Sequence, residues 1–415
     1  MSTTRLKQIL PISIITIFSL IIRLWHLNSP KGYIFDEVYY AKNANSLVQH
    51  GVELNEQGGA DFIVHPPFGK WLIGIGIRIF GNNEFGWRII PALVGTACVI
   101  LIYLIAQRLF NSIFLSTTAA LLMALDGLAL VMSRVALLDI FLVFFILLCF
   151  YFILTNNLWL SGVVIGLAGA SKWSAFFLIP LVIALTINWK NLQLNSLLRR
   201  IGQFVLVPLG VYLTTWSGWI LSSNGWGRQS GSNLFTSLWK YHIEILNFHR
   251  DLSEEHAYAA NPWSWLILGR PTSFYYESPK DCGAASCAQE ILAIGTPALW
   301  WAGVFAIAVT LGLFIVSRDR IAAFILAGVA GTYLPWFFIQ SRTMFYFYAI
   351  SILPFLILAL IYTFNWALKY KDYRKYIGVF LTIVAINFFY FLPIFLGIQI
   401  PYADWLDRMW LPSWI

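Results

Sequence analysis

The sequence predicts an all-α polytopic membrane protein, and three observations carry that reading. Of its 415 residues, 59% are hydrophobic and 11% charged, where a soluble domain carries about 25% charged residues. The apolar residues come in long blocks rather than in helical stripes, the pattern of membrane spans. Trp and Tyr are abundant, with 19 each, as expected where many helix ends meet two membrane interfaces. The formal net charge is +8. The basic residues lie mainly in short loops between apolar blocks, so they read as topology signals rather than as a nucleic-acid surface.

The first apolar block runs from Ile9 to Leu27, with Arg5 and Lys7 ahead of it. A cleaved signal peptide begins similarly, but Arg23, Trp25 and His26 stand where small cleavage-site residues belong, so a retained span is expected. The polar stretch 28–87 holds two weaker helix candidates, one after Glu37 and one over Phe68–Phe80. The second is too short for a hydrocarbon core of roughly 30 Å and is expected along the membrane surface. Further spans read at 89–110, 113–132, 135–155, 158–171, 173–189 and 201–221. A long polar loop, 222–290, is followed by spans at 291–316, 321–339, 345–364 and 376–398. That makes about eleven spans by apolar length, in a single membrane-embedded domain over 1–415, with no internal repeat.

Charge sets the expected orientation. With the N-terminus inside, inside segments collect Arg5, Lys7, Arg108, Lys190, Arg199 and Arg200, and then Arg318, Arg320, Lys369, Lys371, Arg374 and Lys375. The short outside turns hold only Arg134, Lys172, Arg342 and Arg408. The positive-inside rule then favours an inside N-terminus and an outside C-terminus, with both long loops outside. Cys98 and Cys149 fall inside apolar blocks and read as core thiols. Cys282 and Cys287 lie in the second outside loop, where they either pair in an oxidising compartment or stand as two loop thiols.

Several residues can carry chemistry. Asp36 and Glu37 follow the first span. Adjacent carboxylates point in different directions, so they cannot flank one bond as a glycoside hydrolase pair does. One can act as a base while the other positions something; alternatively both simply complement a helix N-terminus. His65, before Pro66 and Pro67, is either a hydrogen-bond donor to a substrate or a satisfied interfacial residue. His242, His249 and His256 recur every seven residues and could share a helix face, but no metal site is expected from them. Arg23, Arg88, Asp126, Arg134, Asp139 and Lys172 sit beside or within apolar blocks, where an ionisable group is costly and is expected to pair or to line a wet cavity. Asp126, the deepest by sequence, is expected to pair with a cation on another span. Arg88, Arg134 and Lys172 map to the same outside face as Asp36; they either snorkel to headgroups or suit an anionic phosphate leaving group. The loop His256-Ala257-Tyr258, Asn261-Pro262-Trp263-Ser264-Trp265 and Arg270-Pro271 is aromatic, fit for interfacial anchoring or for stacking on a sugar.

The motifs Phe35-Asp36-Glu37-Val38-Tyr39-Tyr40, His65-Pro66-Pro67-Phe68-Gly69-Lys70 and Gly86-Trp87-Arg88 together resemble the start of the protein O-mannosyltransferases. The likeness continues through Leu125-Asp126-Gly127, Ser133-Arg134 to Asp139, and Ser171-Lys172-Trp173. It extends to Asn261-Pro262-Trp263, Arg270-Pro271, Tyr275-Tyr276-Glu277 and Arg408-Met409-Trp410-Leu411, so it covers nearly the whole chain. Fungal and animal members carry an additional lumenal domain for which the 222–290 loop is too short, so the chain looks like the bacterial form. The resemblance implies a GT-C-type helical bundle with helices in its outside loops and an active site at the outer face of the cell membrane. It implies a polyprenyl-phosphate-mannose donor drawn from the membrane lipids. The implied acceptors are Ser or Thr hydroxyls of translocating proteins, handled with the secretion machinery. No cofactor and no metal is implied. By motif, Asp36 would be the general base and Glu37 would place the acceptor or hold the base. Arg88 matches the motif arginine, and Arg134, Lys172 and His65 would contact the donor phosphate or substrate.

The chemistry agrees with that implication. A serine hydroxyl is a poor nucleophile unless a base takes its proton in the transition state. Cationic side chains stabilise the charge growing on a phosphate leaving group. Three rival readings remain from sequence: a related transferase acting on a lipid or polysaccharide, a transporter, and a non-catalytic scaffold. A transporter is expected to show two related halves with broken helices at the midplane, and the polar motifs here concentrate outside instead.

Overall fold

The computed structural model describes residues 3–280 and 282–415. Arg5 and Lys7 lie on the first helix, but their side chains fall outside what is described. The first helix, α1 (Thr3–Leu24), leads through an extended segment to α2 (Glu37–His50) and α3 (Phe68–Phe80). Gly51, at φ 72°, ends α2 in the left-handed conformation that a Cβ disfavours. Pro67 opens α3, so the expected surface helix starts at Phe68 as read from its apolar pattern.

The long helix α4 (Glu84–Phe110) is capped by the Asn83 side chain, and α5 (Ile113–Ala124) by Ser112. The expected span 113–132 does not run through. It breaks at Leu125, and a short α6 (Gly127–Met132) restarts with Asp126 as its N-cap, accepting from the Ala129 N–H. Among the described residues, Asp126 makes no ion pair. Its second oxygen accepts from the Thr296 N–H and from the Trp300 indole. Hydrogen bonds to one carboxylate do here what an ion pair was expected to do.

Next come α7 (Asp139–Leu154) and α8 (Leu158–Ser171), which pack as an antiparallel hairpin. Lys172 breaks the chain in an extended conformation before a 3₁₀ turn over Trp173–Leu178 and α9 (Ile179–Thr186). The following span is shifted from its expected place. One continuous helix is formed by α10 (Leu194–Ile201), a π turn over Gly202–Leu206 and α11 (Val207–Thr214), and the short α12 (Ser217–Leu221) follows separately. An added Cβ at Gly162 of α8 would lie 1.8 Å from the Gln203 carbonyl oxygen, so only glycine permits this crossing.

The second loop is more structured than its polarity suggests. It contains α13 (Leu234–Asp251), opened by an Asn233/Thr236 capping box, and α14 (Pro262–Trp265). It also contributes strands to a small three-stranded sheet within the mostly helical fold: β1 (Thr272–Glu277) pairs antiparallel with β2 (Cys287–Ala293), which pairs with β3 (Ile400–Pro401). The span expected from 291 starts instead at α15 (Pro297–Ser317), because Ile291 to Ala293 belong to a fully buried strand. Such an apolar run cannot be told from a helix by periodicity. Cys282 and Cys287 are disulfide-bonded at the base of β2, and Cys98 and Cys149 are buried free thiols.

The chain closes with α16 (Arg320–Tyr333), α17 (Leu353–Leu368), α18 (Arg374–Leu396) and the short α19 (Tyr402–Leu406). Among the described residues, five helices, with α10 through α11 taken as one and α16 taken with the 3₁₀ turn that follows it, are long and apolar enough to cross a membrane, and six shorter apolar helices accompany them. The first turns and middle of α17, together with α5 and α7, form the buried centre of the bundle. Its outer helices expose Leu, Ile and Phe in the way a lipid-facing surface does.

Candidate active site

Asp36 and Glu37 open α2, and their side chains do different work. Phe35 before them has φ 47°, an uncommon value for a residue with a Cβ. Its ring is held by stacking on Phe274, with centroids 4.4 Å apart, and by edge contacts with Phe345 and Phe347. Glu37 is fully buried and fully used. Arg88 donates to both of its oxygens at 2.8 and 2.7 Å, and the N–H groups of Ala136 and Ile34 donate to it at 2.9 and 3.1 Å.

Arg88 and Arg134 are both buried, and their guanidinium groups are bonded within the protein. Arg88 spends its remaining donors on the carbonyls of Leu27, Pro30 and Gly32. Arg134 donates to the carbonyls of Ile22, Arg23 and Trp25 at 3.1, 2.9 and 2.7 Å, capping the C-terminal turn of α1. Both arginines fasten the first loop to the bundle.

Asp36 is partly buried and makes no capping bond to its own helix. It accepts instead from the Tyr40 hydroxyl one turn on. Burial pushes its carboxyl up to about 6; the Lys172 ammonium pulls it down, Asp139 pushes it up, and the Tyr40 hydrogen bond pulls it down. Lys172 lies 2.7 Å from Asp139 as a buried ion pair, with its ammonium 4.3 Å from the centroid of Tyr348. Asp139 begins α7 and Lys172 follows α8, so the hairpin presents both at one end.

A cavity of about 930 Å³ opens beside this cluster. Its polar lining includes His65, Lys172, Tyr212, His242, His249, Arg250, Arg342 and Tyr348, and its apolar lining includes Phe177, Val205, Leu209 and Phe338. These four apolar side chains are exposed, so the cavity is open along an apolar wall. The imidazoles at its head are neutral. The His249 Nε2 lies 2.7 Å from the Val64 carbonyl and must donate to it, leaving Nδ1 to accept from Arg342 at 3.5 Å. Burial pushes His249 down to about 4, with Arg342 and Lys172 adding to the effect. His65 is pushed well below the ordinary imidazole range by burial and by His249, Lys172, Lys70 and Arg342, and among the described residues its buried Nδ1 has no hydrogen-bond partner. His242 accepts from the Tyr212 hydroxyl, which the Trp173 indole holds in place. His256 lies apart from these, against Phe345.

Of the sequence-marked residues, the structure brings together Asp36, Asp139, Lys172 and His65, and assigns Glu37, Arg88 and Arg134 to their support. Arg342, His249 and Tyr348 were not singled out for the site. Arg342 carried one signal: like Lys172, it stands in a short turn on the expected outside face.

Among solved structures, the fold is similar to a chain of the S. cerevisiae protein O-mannosyltransferase Pmt1-Pmt2 complex bound to the sugar donor. The TM-score is 0.82, over 100% of this chain and 93% of that one, at 16% identity. It is also similar to ArnT from Cupriavidus metallidurans bound to undecaprenyl phosphate, with TM-score 0.60 over 90% of this chain and 63% of that one, at 17% identity. These likenesses and the apolar helices define a GT-C membrane fold.

Residues 13–221 match the family model for dolichyl-phosphate-mannose-protein mannosyltransferase, and residues 234–414 match the C-terminal four-transmembrane region of protein O-mannosyltransferase. The chain is 30% identical to the polyprenol-phosphate-mannose–protein mannosyltransferase of Mycobacterium tuberculosis, over 99% of this chain and 92% of the relative. The corresponding figures for the protein of that name from Corynebacterium glutamicum are 29%, 97% and 92%. The chain belongs to the dolichyl-phosphate-mannose-protein mannosyltransferase family and is a multi-pass membrane glycosyltransferase.

Proposed function

We propose that this chain transfers mannose from a polyprenyl-phosphate-mannose to Ser or Thr hydroxyls of proteins, with Asp36 as general base. The observation that carries the reading is the placement of a partly buried, raised-pKa carboxylate beside a cavity with a cationic head and an open apolar wall. The polyprenyl chain lies along Phe177, Val205, Leu209 and Phe338. Lys172 and Arg342 face the phosphate, and the neutral His65 is free to hydrogen-bond the sugar or phosphate. The acceptor oxygen attacks the anomeric carbon as its proton passes to Asp36, and the C–O bond to phosphate breaks with its electron pair on the lipid phosphate. One displacement inverts the anomeric centre. Lys172 and Arg342 stabilise the departing charge in a water-poor site, where each such interaction is strengthened. Tyr40 orients Asp36, and the Glu37–Arg88 pair fixes the start of α2 beneath it.

The same reading places 1–415 as one catalytic unit in the plasma membrane, N-terminus inside, active site and C-terminus outside, working on proteins as the secretion machinery delivers them. The test uses membranes containing the full chain, a labelled polyprenyl-phosphate-mannose and a Ser/Thr-rich peptide. Label is expected on the peptide. Label recovered only in lipid or glycan would replace the protein acceptor with another acceptor class.

A further inference from the structure

A second pocket lies at the other end of the α7–α8 hairpin. It has a volume of about 270 Å³ and is lined by Asn156, Asn157, Trp159, Arg199, Arg200 and Gln203, with Leu158 and Leu160. Asp139 and Lys172 mark the active-site end of this hairpin. With 14 residues in α8, the two ends stand about 21 Å apart along the helix axis. We propose that this pocket binds the phosphodiester headgroup of an anionic membrane lipid on the membrane face opposite the active site.

Three observations converge. The pocket holds two adjacent guanidinium groups and no carboxylate, an uncompensated charge at a membrane surface. Arg200 is already oriented, donating to the Thr186 carbonyl at 3.2 Å and to Gln203 at 2.6 Å. Gln203 is in turn fixed where its backbone presses on Gly162. Arg199, among the described residues, has no hydrogen-bond or ion-pair partner, so its donors are available to a ligand. The π turn over Gly202–Leu206 follows directly, a local widening of the kind common at functional sites.

The surroundings specify a lipid rather than a soluble anion. Trp159 and Leu160 line the pocket and each exposes about half of its surface. A ligand with both a phosphate and acyl chains satisfies the two guanidinium groups and covers these side chains. Inorganic phosphate satisfies only the former.

The experiment is native mass spectrometry of the full chain in neutral detergent, titrated separately with phosphatidylglycerol, phosphatidylcholine and inorganic phosphate. The wild type is expected to retain phosphatidylglycerol in preference to the other two. Arg199→Gln is expected to lower that occupancy about tenfold, the loss of one charge-assisted contact, while Arg199→Lys keeps most of it and reports on folding. Arg342→Gln, at the other face, is expected to leave this occupancy unchanged. Equal binding of phosphatidylcholine, or phosphatidylglycerol binding indifferent to Arg199→Gln, would overturn the proposal. Phosphate binding alone with the same Arg199 dependence would replace the lipid with a soluble anion.

Discussion

Glu37 and Arg88 form a two-pronged ion pair with essentially no solvent exposure, at 2.8 and 2.7 Å. Its consequence lies one residue away. Because Glu37 is locked inward, the start of α2 is fixed and Asp36 is turned toward Tyr40 and the Lys172–Asp139 pair. The two neighbouring carboxylates thus differ: Glu37 is locked in an ion pair, and Asp36 lies beside the Lys172–Asp139 pair.

Breaking that pair is expected to cost stability. Glu37→Gln leaves a buried guanidinium without its counter-charge, a loss of about 3 kcal/mol or more. Arg88→Lys is expected to restore only part of it, since a single ammonium cannot reproduce the fork. Thermal denaturation in detergent checks both; a Glu37→Gln protein as stable as wild type would show the pair to be dispensable.

The acid limb of the pH profile is expected near 6. A general base works ionised, so as pH falls through the raised value of Asp36 the working fraction falls, and turnover drops about tenfold per pH unit below it. Lys172 lowers the Asp36 value. Lys172→Met is therefore expected to move the limb to higher pH. Initial rates at saturating donor measure it, and a limb at the same pH in both proteins contradicts the coupling.

Arg342 is expected to matter for the chemical step. Arg342→Gln removes one of two cations at the cavity head and should reduce turnover about 100-fold, with the melting temperature little changed. Unaltered turnover would take Arg342 out of the leaving-group site.

The disulfide is expected to hold the small sheet rather than the site. Cys282 and Cys287 should resist alkylation in unreduced protein and react after reduction. Cys287→Ser should lower stability by about 2 kcal/mol, on the loop-entropy estimate for so short a loop. Reaction of both thiols before reduction would show that the bond is not formed.

Much of the fold was legible because apolar length and helix punctuation act locally. Pro67 and Phe80 bounded α3 from sequence, and each expected span falls largely on helix. The misreadings have physical causes. The apolar run at Ile291 to Ala293 finds its hydrogen bonds in a sheet, with partners distant in sequence. Asp126 finds hydrogen-bond donors at Thr296 and Trp300, which no local pattern announces. Arg88 and Arg134 were legible as charges beside apolar blocks, but their partners, backbone carbonyls and Glu37, were not. Lys172 and Asp36 were legible as chemistry-bearing residues. Their convergence with Arg342 and His249 was not, because it is made by four segments far apart in the chain.

The most direct measurement is mannose transfer to a Ser/Thr peptide by Asp36→Asn at matched expression, with donor binding and melting temperature measured on the same preparation. The account predicts intact folding, retained donor binding and turnover reduced by roughly 10²–10⁴. A folded, donor-binding Asp36→Asn protein that transfers mannose at near the wild-type rate would contradict it.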